Sequence, residues 1–163
     1  MGKEGASAAL MPLLSAAIAR ELQASIQYML QHSIGATVDS PISAKGTVAQ
    51  IKFIGSHSSM WLPGSTLKKV AITEMRHAEA IAERVVRLGG VPPTTADDVS
   101  LGTTAQEMLE LDRELEQGAV DLYEQIIKVA RAAEDTETAA LFERILGDEK
   151  NHHRMFSNLL SRS

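Results

Sequence analysis

The chain has 163 residues, of which 44% are hydrophobic and 23% charged, and a formal net charge of -5. With a mean hydropathy of -0.06, that length predicts one domain over residues 1–163 with a sizeable core, and it excludes a disordered or membrane-spanning chain. No cysteine is present, so disulfides, thiolate metal sites and a cysteine nucleophile are excluded, while the acidic balance argues against nucleic acid or anionic lipid as a partner.

In chain order, the apolar run from Ala8 to Ala19 imitates the centre of a secretory leader. Its residues Leu10, Leu14 and Ile18, followed by Glu21, recur at helical spacing, and Glu4 beside Lys3 weakens the positive start a leader needs. The expectation is therefore a cytoplasmic protein whose first helix spans Ser7 to Ile34, with Gly35 near its end. A second helix begins near Ser65, a natural N-cap, and carries Leu67, Val70, Ala71, Glu74, His77, Ile81, Val85 and Leu88 before Gly89-Gly90 and Pro92-Pro93 stop it. A third follows Thr103-Thr104, with Glu107 as a capping-box partner and a stripe of Leu109, Asp112, Glu116, Ala119, Tyr123, Ile126 and Ala130. The fourth starts near Asp135 or Thr136 and presents Leu141, Ile145, Glu149, His152, Phe156 and Leu159 on one face.

The connections restrict the topology. A short link makes the last two helices antiparallel neighbours. The stretch from Gly89 to Gly102 reaches roughly 45 Å at ~3.3 Å per residue, enough to cross a bundle of ~36 Å helices. No strand signal stands out, and the long segment from Gly35 to Gly64 is expected to hold a short helix around Val48 to Ile54. The predicted fold is an all-α four-helix bundle with one long crossover and an extended connection between its first two helices.

Two copies of Glu-x-x-His, Glu74 with His77 and Glu149 with His152, stand in the second and fourth helices. Residues three apart share a helix face, and the flanking Ala71, Ile81, Ile145 and Phe156 turn both pairs toward the core. Glu21 and Glu116 occupy matching inward positions on the other two helices, whereas Glu114 lies off the stripe. Four carboxylates and two imidazoles in an apolar interior are costly alone, and two divalent cations neutralise the four charges. Oxygen and imidazole donors suit iron or manganese, so two metal ions per chain are expected, with iron and manganese both open.

The sequence resembles the ferritin-like superfamily, and within it the bacterioferritins. Residues 21–28, ELQASIQY, are similar to the motif of the family's first helix, 74–79, EMRHAE, to that of its second, and 148–152, DEKNH, to that of its fourth. Leu88 to Pro92 and Met108 to Tyr123 extend the match. The resemblance implies that Glu21 and Glu116 are terminal ligands, that Glu74 and Glu149 bridge two irons, and that His77 and His152 complete the shells. It further implies that Tyr28 lies beside the centre to donate an electron or a hydrogen bond, and that Asp148 orients a ligand imidazole. Met75 stands where the family's haem-ligating methionine stands, which leaves haem b open as a second cofactor.

The implied activity is ferroxidation, in which Fe(II) is oxidised to Fe(III) by oxygen or peroxide for iron storage and detoxification. Two alternatives remain open on the sequence: a di-manganese or di-iron peroxide-scavenging enzyme of the catalase kind, and a non-enzymatic haem-binding or structural bundle. The short tail after His152 matches the smaller Dps-like assemblies in leaving no room for a fifth helix, so a homo-oligomeric cage of about twelve chains is expected. His57, Met60 and Trp61 are candidate interface residues.

Overall fold

A computed structural model of the chain describes residues 3–37, 49–51, 60–62 and 66–161. It contains four long helices, α1 (Lys3–Thr37), α2 (Thr66–Arg87), α3 (Ala105–Ala132) and α4 (Thr136–Leu160), and two short strands, β1 (Ala49–Ile51) and β2 (Met60–Leu62). The four-helix bundle is as expected. Helix α1 is longer than its apolar stripe predicts and runs through Gly35. The short helix expected at 48–54 is corrected: β1 lies there, paired antiparallel with β2 so that Ala49 faces Leu62 and Ile51 faces Met60. The signal was legible, because Ala49, Ile51 and Phe53 alternate with Gln50 and Lys52, the two-residue period of a strand. The expected cap at Ser65 and the interface candidate His57 lie outside the described residues, as do the side chains of Met60 and Trp61.

Local chemistry sets the other helix ends. Thr104 accepts a hydrogen bond from the Glu107 amide at 3.1 Å, and the Glu107 carboxylate reaches back to the amide of Thr103 at 2.8 Å, one residue beyond a standard capping box. Asp135 caps α4 through the Thr138 amide at 3.0 Å. It also receives Arg84 from the end of α2 at 2.7 Å, while Arg84 Nε donates to Thr138 at 2.8 Å, so one largely buried guanidinium joins α2 to the start of α4. Gly89 stops α2 in the left-handed region at φ 81°, a conformation that a side chain would strain.

Pairwise contacts give the helix directions. Along α3, Asp112 meets Gln31 and Gln27 of α1, Glu116 meets Tyr28, and Tyr123 meets Glu21, so the two helices are antiparallel. Arg84 to Asp135 and His77 to Glu149 make α2 and α4 antiparallel, and Lys150 to Glu124 with Glu143 to Arg131 do the same for α3 and α4. Ser25 of α1 donates to the Ala71 carbonyl of α2 at 3.0 Å, while Met11 lies against Val85 and Gly90, so α1 and α2 are antiparallel too. Helices α2 and α3 therefore point the same way, and residues 88–104 must return along the bundle. The return path is fastened to α1: the Asp97 amide donates to the Ala19 carbonyl at 3.1 Å, Gln23 donates to the Asp98 carbonyl, and the Ser100 amide donates to Gln27 Oε1 at 3.3 Å.

The core is divided in two. One apolar cluster gathers Leu10, Leu14, Ile18, Ile81, Val85, Tyr123, Ile126, Phe142 and Ile145, and the other Ala24, Tyr28, Leu67, Val70, Ala71, Leu109, Leu115 and Phe156. Glu21, Glu74, Glu116 and Glu149 are all buried on the same helices at positions between these clusters, so a polar layer interrupts the apolar interior.

Candidate metal centre

All six residues singled out as ligands converge. They form two overlapping groups, Glu21, Glu74, His77 and Glu149 in one, and Glu74, Glu116, Glu149 and His152 in the other, with the ligand atoms of each group within 4.8 Å of one another. Glu74 and Glu149 belong to both groups and use opposite oxygens. His77 Nδ1 lies 3.0 Å from Glu74 Oε2 and 2.8 Å from Glu149 Oε1, while His152 Nδ1 lies 2.8 Å from Glu74 Oε1 and 3.2 Å from Glu149 Oε2. Of the two histidines, Glu21 Oε2 approaches His77, at 3.7 Å, and Glu116 Oε2 approaches His152, at 3.8 Å. Two carboxylates shared between the groups and two belonging to one group each are thus distinguishable from geometry alone. Glu114 is exposed, as its place off the stripe predicts.

Each helix delivers its ligands by ordinary spacing. The i,i+3 pairs stand one above the other on α2 and α4, and each histidine bonds the glutamate of its own helix. Across the helices the fit differs. Glu74 Oε1 and Glu149 Oε1 are buried and lie 2.8 Å from an imidazole nitrogen, yet at angles that make no hydrogen bond. Distance alone would count these as bonds, but direction decides for a hydrogen bond. Two orphaned carboxylate oxygens aimed at the position each Nδ1 faces are what a dinuclear cation site requires.

Electrostatics point the same way. Burial drives the Glu21 and Glu116 carboxyls well above the usual carboxylate range, and the charges of Glu74 and Glu149 add to the rise. Burial also opposes ionisation of Glu149, but the hydrogen bond from His152 and the close positive charge of His77 outweigh it and hold the pKa down to about 2. At His152 burial disfavours the imidazolium, and the Glu149 and Glu74 carboxylates overcome it, pushing the pKa up to about 10. His77 is raised further in the same way, against burial, by Glu149, Glu21 and Glu74. In the metal-free centre, burial thus favours protonation of Glu21 and Glu116 and the carboxylates favour protonation of His77 and His152, the same positive charge that divalent ions would bring.

Around the centre, Asp148 Oδ2 lies 3.3 Å from His77 Nε2 and holds the ring from outside. Tyr28 is fully buried, packs on Phe156 with ring centroids 5.5 Å apart, and donates to Glu116 Oε1. Met75 is not part of this cluster. It is 54% exposed on α2, and Ile26, Met29 and Leu30 are exposed on α1.

Sequence reasoning placed Tyr123 on the apolar stripe and missed its second role. Tyr123 donates to Glu21 Oε1 and packs edge-on against Phe142, with centroids 5.2 Å apart. The signal was present, since Tyr123 follows Glu116 by seven residues as Tyr28 follows Glu21. A buried polar group beside the centre was also missed. Gln27 and Gln31 donate to Asp112 Oδ1 at 2.9 and 2.8 Å, while Asp112 Oδ2 and Gln31 Oε1 have no partner.

Comparison with known proteins agrees with this geometry. Residues 64–163 match the model of the ferritin-like domain. The bacterioferritin of Desulfovibrio desulfuricans is 34% identical over 158 residues, covering 96% of this chain and 77% of the relative. A second bacterioferritin, from Streptomyces coelicolor, is 41% identical over 80 residues, about half of each chain, at 48% of both. Among solved structures, the D. desulfuricans bacterioferritin, described with its diiron site in different catalytic states, superposes with a TM-score of 0.79 over 99% of this chain and 83% of its own, at 32% identity. A ferritin-like diiron-carboxylate protein from Bacillus anthracis does so at 0.76, over 95% of this chain and 97% of its own, at 25% identity. With its four-helix topology, two Glu-x-x-His pairs and these relatives together, the chain belongs to the ferritin-like family and groups there with the bacterioferritins.

Proposed function

We propose that this protein is a ferroxidase that takes up two Fe(II) ions per chain and oxidises them to Fe(III) with oxygen or peroxide for storage and detoxification. The observation that carries the reading is the pair of carboxylates, Glu74 and Glu149, shared between two ligand groups with an orphaned oxygen on each. In it Glu74 and Glu149 bridge the ions, Glu21 and Glu116 each hold one, and His77 and His152 complete the two shells. The ions bring redox chemistry to the site. The chain holds them close together, excludes bulk water with two apolar clusters, and orients the His77 ring through Asp148. Tyr28, bonded to Glu116, is placed to supply an electron or to hold that carboxylate in position.

Anaerobic Fe(II) titration followed by an air pulse tests the reading. Saturation at two ions per chain and fast oxidation are expected, and the absence of saturable binding refutes it. The donors also accept manganese, and the same titration with Mn(II), followed by peroxide, distinguishes a scavenging enzyme. Exposure of Met75 leaves its thioether open to ligate haem b, the second cofactor of this reading. Loss of a bis-thioether spectrum in Met75→Leu, with ferroxidation intact, is the corresponding result, and an unchanged spectrum excludes Met75 as the ligand.

The exposed Ile26, Met29, Leu30 and Met75 favour burial against a second copy. The proposed assembly is a closed homo-oligomer of about twelve chains, which light scattering tests against a dimer and against a particle of twice that mass. Among the described residues no helix is long and apolar enough to cross a membrane, and a cytoplasmic location is proposed with this reading.

A further inference from the structure

The ligand set has an approximate twofold arrangement, and the tyrosines follow it. Tyr28 stands seven residues after Glu21 on α1, and Tyr123 seven residues after Glu116 on α3. Each bonds the glutamate of the opposite helix, Tyr28 to Glu116 Oε1 and Tyr123 to Glu21 Oε1. In both glutamates the other oxygen, Oε2, is the one facing a histidine. Each tyrosine is 0% exposed and packs on one phenylalanine of α4, Tyr123 on Phe142 and Tyr28 on Phe156. The two hydroxyls are therefore equivalent in what they touch. Their surroundings differ in ring packing, tilted at 34° for Tyr28 and edge-on at 70° for Tyr123, and in the Asp112 carboxyl near Tyr28, but both make the same bond to a ligand carboxylate, and that bond is the one a coupled electron and proton transfer uses.

We infer that Tyr123 is a second electron donor to the centre, acting as the partner of Tyr28 so that one chain reduces dioxygen completely to water. The inference rests on the ferroxidase reading above. Dioxygen needs four electrons and four protons to become two waters, and two Fe(II) ions provide only two electrons. One electron from each tyrosine supplies the remainder: O2 + 2 Fe(II) + 2 TyrOH + 2 H+ gives 2 H2O + 2 Fe(III) + 2 tyrosyl radicals. Each phenolic O–H breaks as its electron leaves. The proton passes along the existing hydrogen bond to Oε1 of Glu21 or Glu116, and from there joins the two protons drawn from solvent in forming water. Two further Fe(II) ions arriving from solution, with two protons, return the radicals to tyrosines. The complete cycle consumes about four Fe(II) per dioxygen, whereas a centre that is one donor short stops at hydrogen peroxide after about two. With both rings buried against Phe142 and Phe156, electrons from those later irons reach the radicals through the centre.

Peroxide provides an internal control, because its reduction to water needs only the two electrons that two Fe(II) ions carry. The experiment compares the assembled wild-type protein with Tyr123→Phe and Tyr28→Phe, each loaded with Fe(II) and driven separately by dioxygen and by hydrogen peroxide. Oxygen uptake, released peroxide and the radical signal of freeze-quenched samples are measured, the last with ring-deuterated tyrosine to identify its source. Wild type is expected to show about four Fe(II) per dioxygen and little free peroxide with iron in excess, and about two radical spins per chain when loaded with only two Fe(II). In Tyr123→Phe, with a peroxidase-coupled trap intercepting released peroxide before it oxidises further Fe(II), oxygen uptake per iron should roughly double and trapped peroxide should approach one per dioxygen, while the rate with added peroxide as oxidant and no trap should stay unchanged. Should Tyr123→Phe keep wild-type uptake, peroxide yield and spin count, or slow both oxidants equally, Tyr123 merely braces Glu21 and the inference is overturned. At two Fe(II) per chain, where no further iron remains to reduce the radicals, a wild type with fewer than about two tyrosyl spins overturns it independently of any variant. Absence of saturable Fe(II) binding in all three proteins would instead remove the ferroxidase reading, and this inference with it.

Discussion

Replacing Asp112 with Asn tests the buried group outside the centre. Asp112 is 1% exposed, and both glutamine amides donate to its Oδ1, leaving Oδ2 and Gln31 Oε1 unpaired. Burial raises its pKa from 3.8 to about 7, against the opposing effect of the Gln27 and Gln31 hydrogen bonds. Between these values the folded chain holds a proton that the unfolded chain has released, so stability falls as pH rises through the window and the loss is complete above about 7. At 1.36 kcal/mol per unit, the three-unit difference corresponds to about 4 kcal/mol. Asparagine carries no titrating proton, and its amide can donate to the orphaned Gln31 Oε1 while its carbonyl keeps both glutamine bonds. Urea unfolding of the chelator-treated protein, wild type and variant, at about pH 4 and about pH 8 gives the comparison. Titrations at the metal centre are common to both proteins and cancel in the difference. The variant's advantage should grow by about 4 kcal/mol across the range. A difference that stays flat would refute a proton held at Asp112.

Three further outcomes are expected. Glu116→Ala should slow iron oxidation by ~100-fold or more by removing one carboxylate and the partner of Tyr28, whereas Glu114→Ala should leave stopped-flow rates unchanged. Filling the site with Fe(II) should raise the Tm and release protons in a pH-stat, because the metal displaces those whose retention the raised pKa values of His77, His152, Glu21 and Glu116 favour. That rise should shrink as pH falls, since the ligands then keep their protons. Arg84→Ala should cost about 3 kcal/mol in urea unfolding by leaving the Asp135 cap without its cation, against less than about 0.5 kcal/mol for Glu137→Ala on the exposed side of the same cluster.

Much of the bundle was legible because each helix repeats one apolar face over several turns. The centre was legible for the same reason: Glu74, His77, Glu149 and His152 interrupt stripes that otherwise read as core, and spacing within one helix is fixed by its pitch. What spacing cannot supply is the partner on another helix. Nothing along α3 says that Tyr123 bonds Glu21 or that Asp112 meets Gln27 and Gln31, because those contacts depend on the relative height of α1 and α3. Glycine at 118 is an example: it lets Arg20 reach the Leu115 carbonyl at 3.2 Å, and an added Cβ would sit 2.6 Å from that guanidinium. Strand β1 is a different case, since its two-residue alternation is present in the sequence but its pairing with β2, nine residues further on, is not.

The path from α2 to α3 is a connection whose length is metered. Surface connections ordinarily absorb insertions freely, but Asp97, Asp98 and Ser100 fasten to Ala19, Gln23 and Gln27, successive rungs one helical turn apart. Eight helical residues advance ~12 Å, and three extended residues advance ~10 Å. The strap therefore matches the ladder only when nearly straight, with almost no slack. Lengthening at 90–96, before the first rung, leaves every fastening in place. One added residue between Asp97 and Ser100 must bulge outward or surrender a rung, and natural length variation in this connection should accumulate on the near side alone.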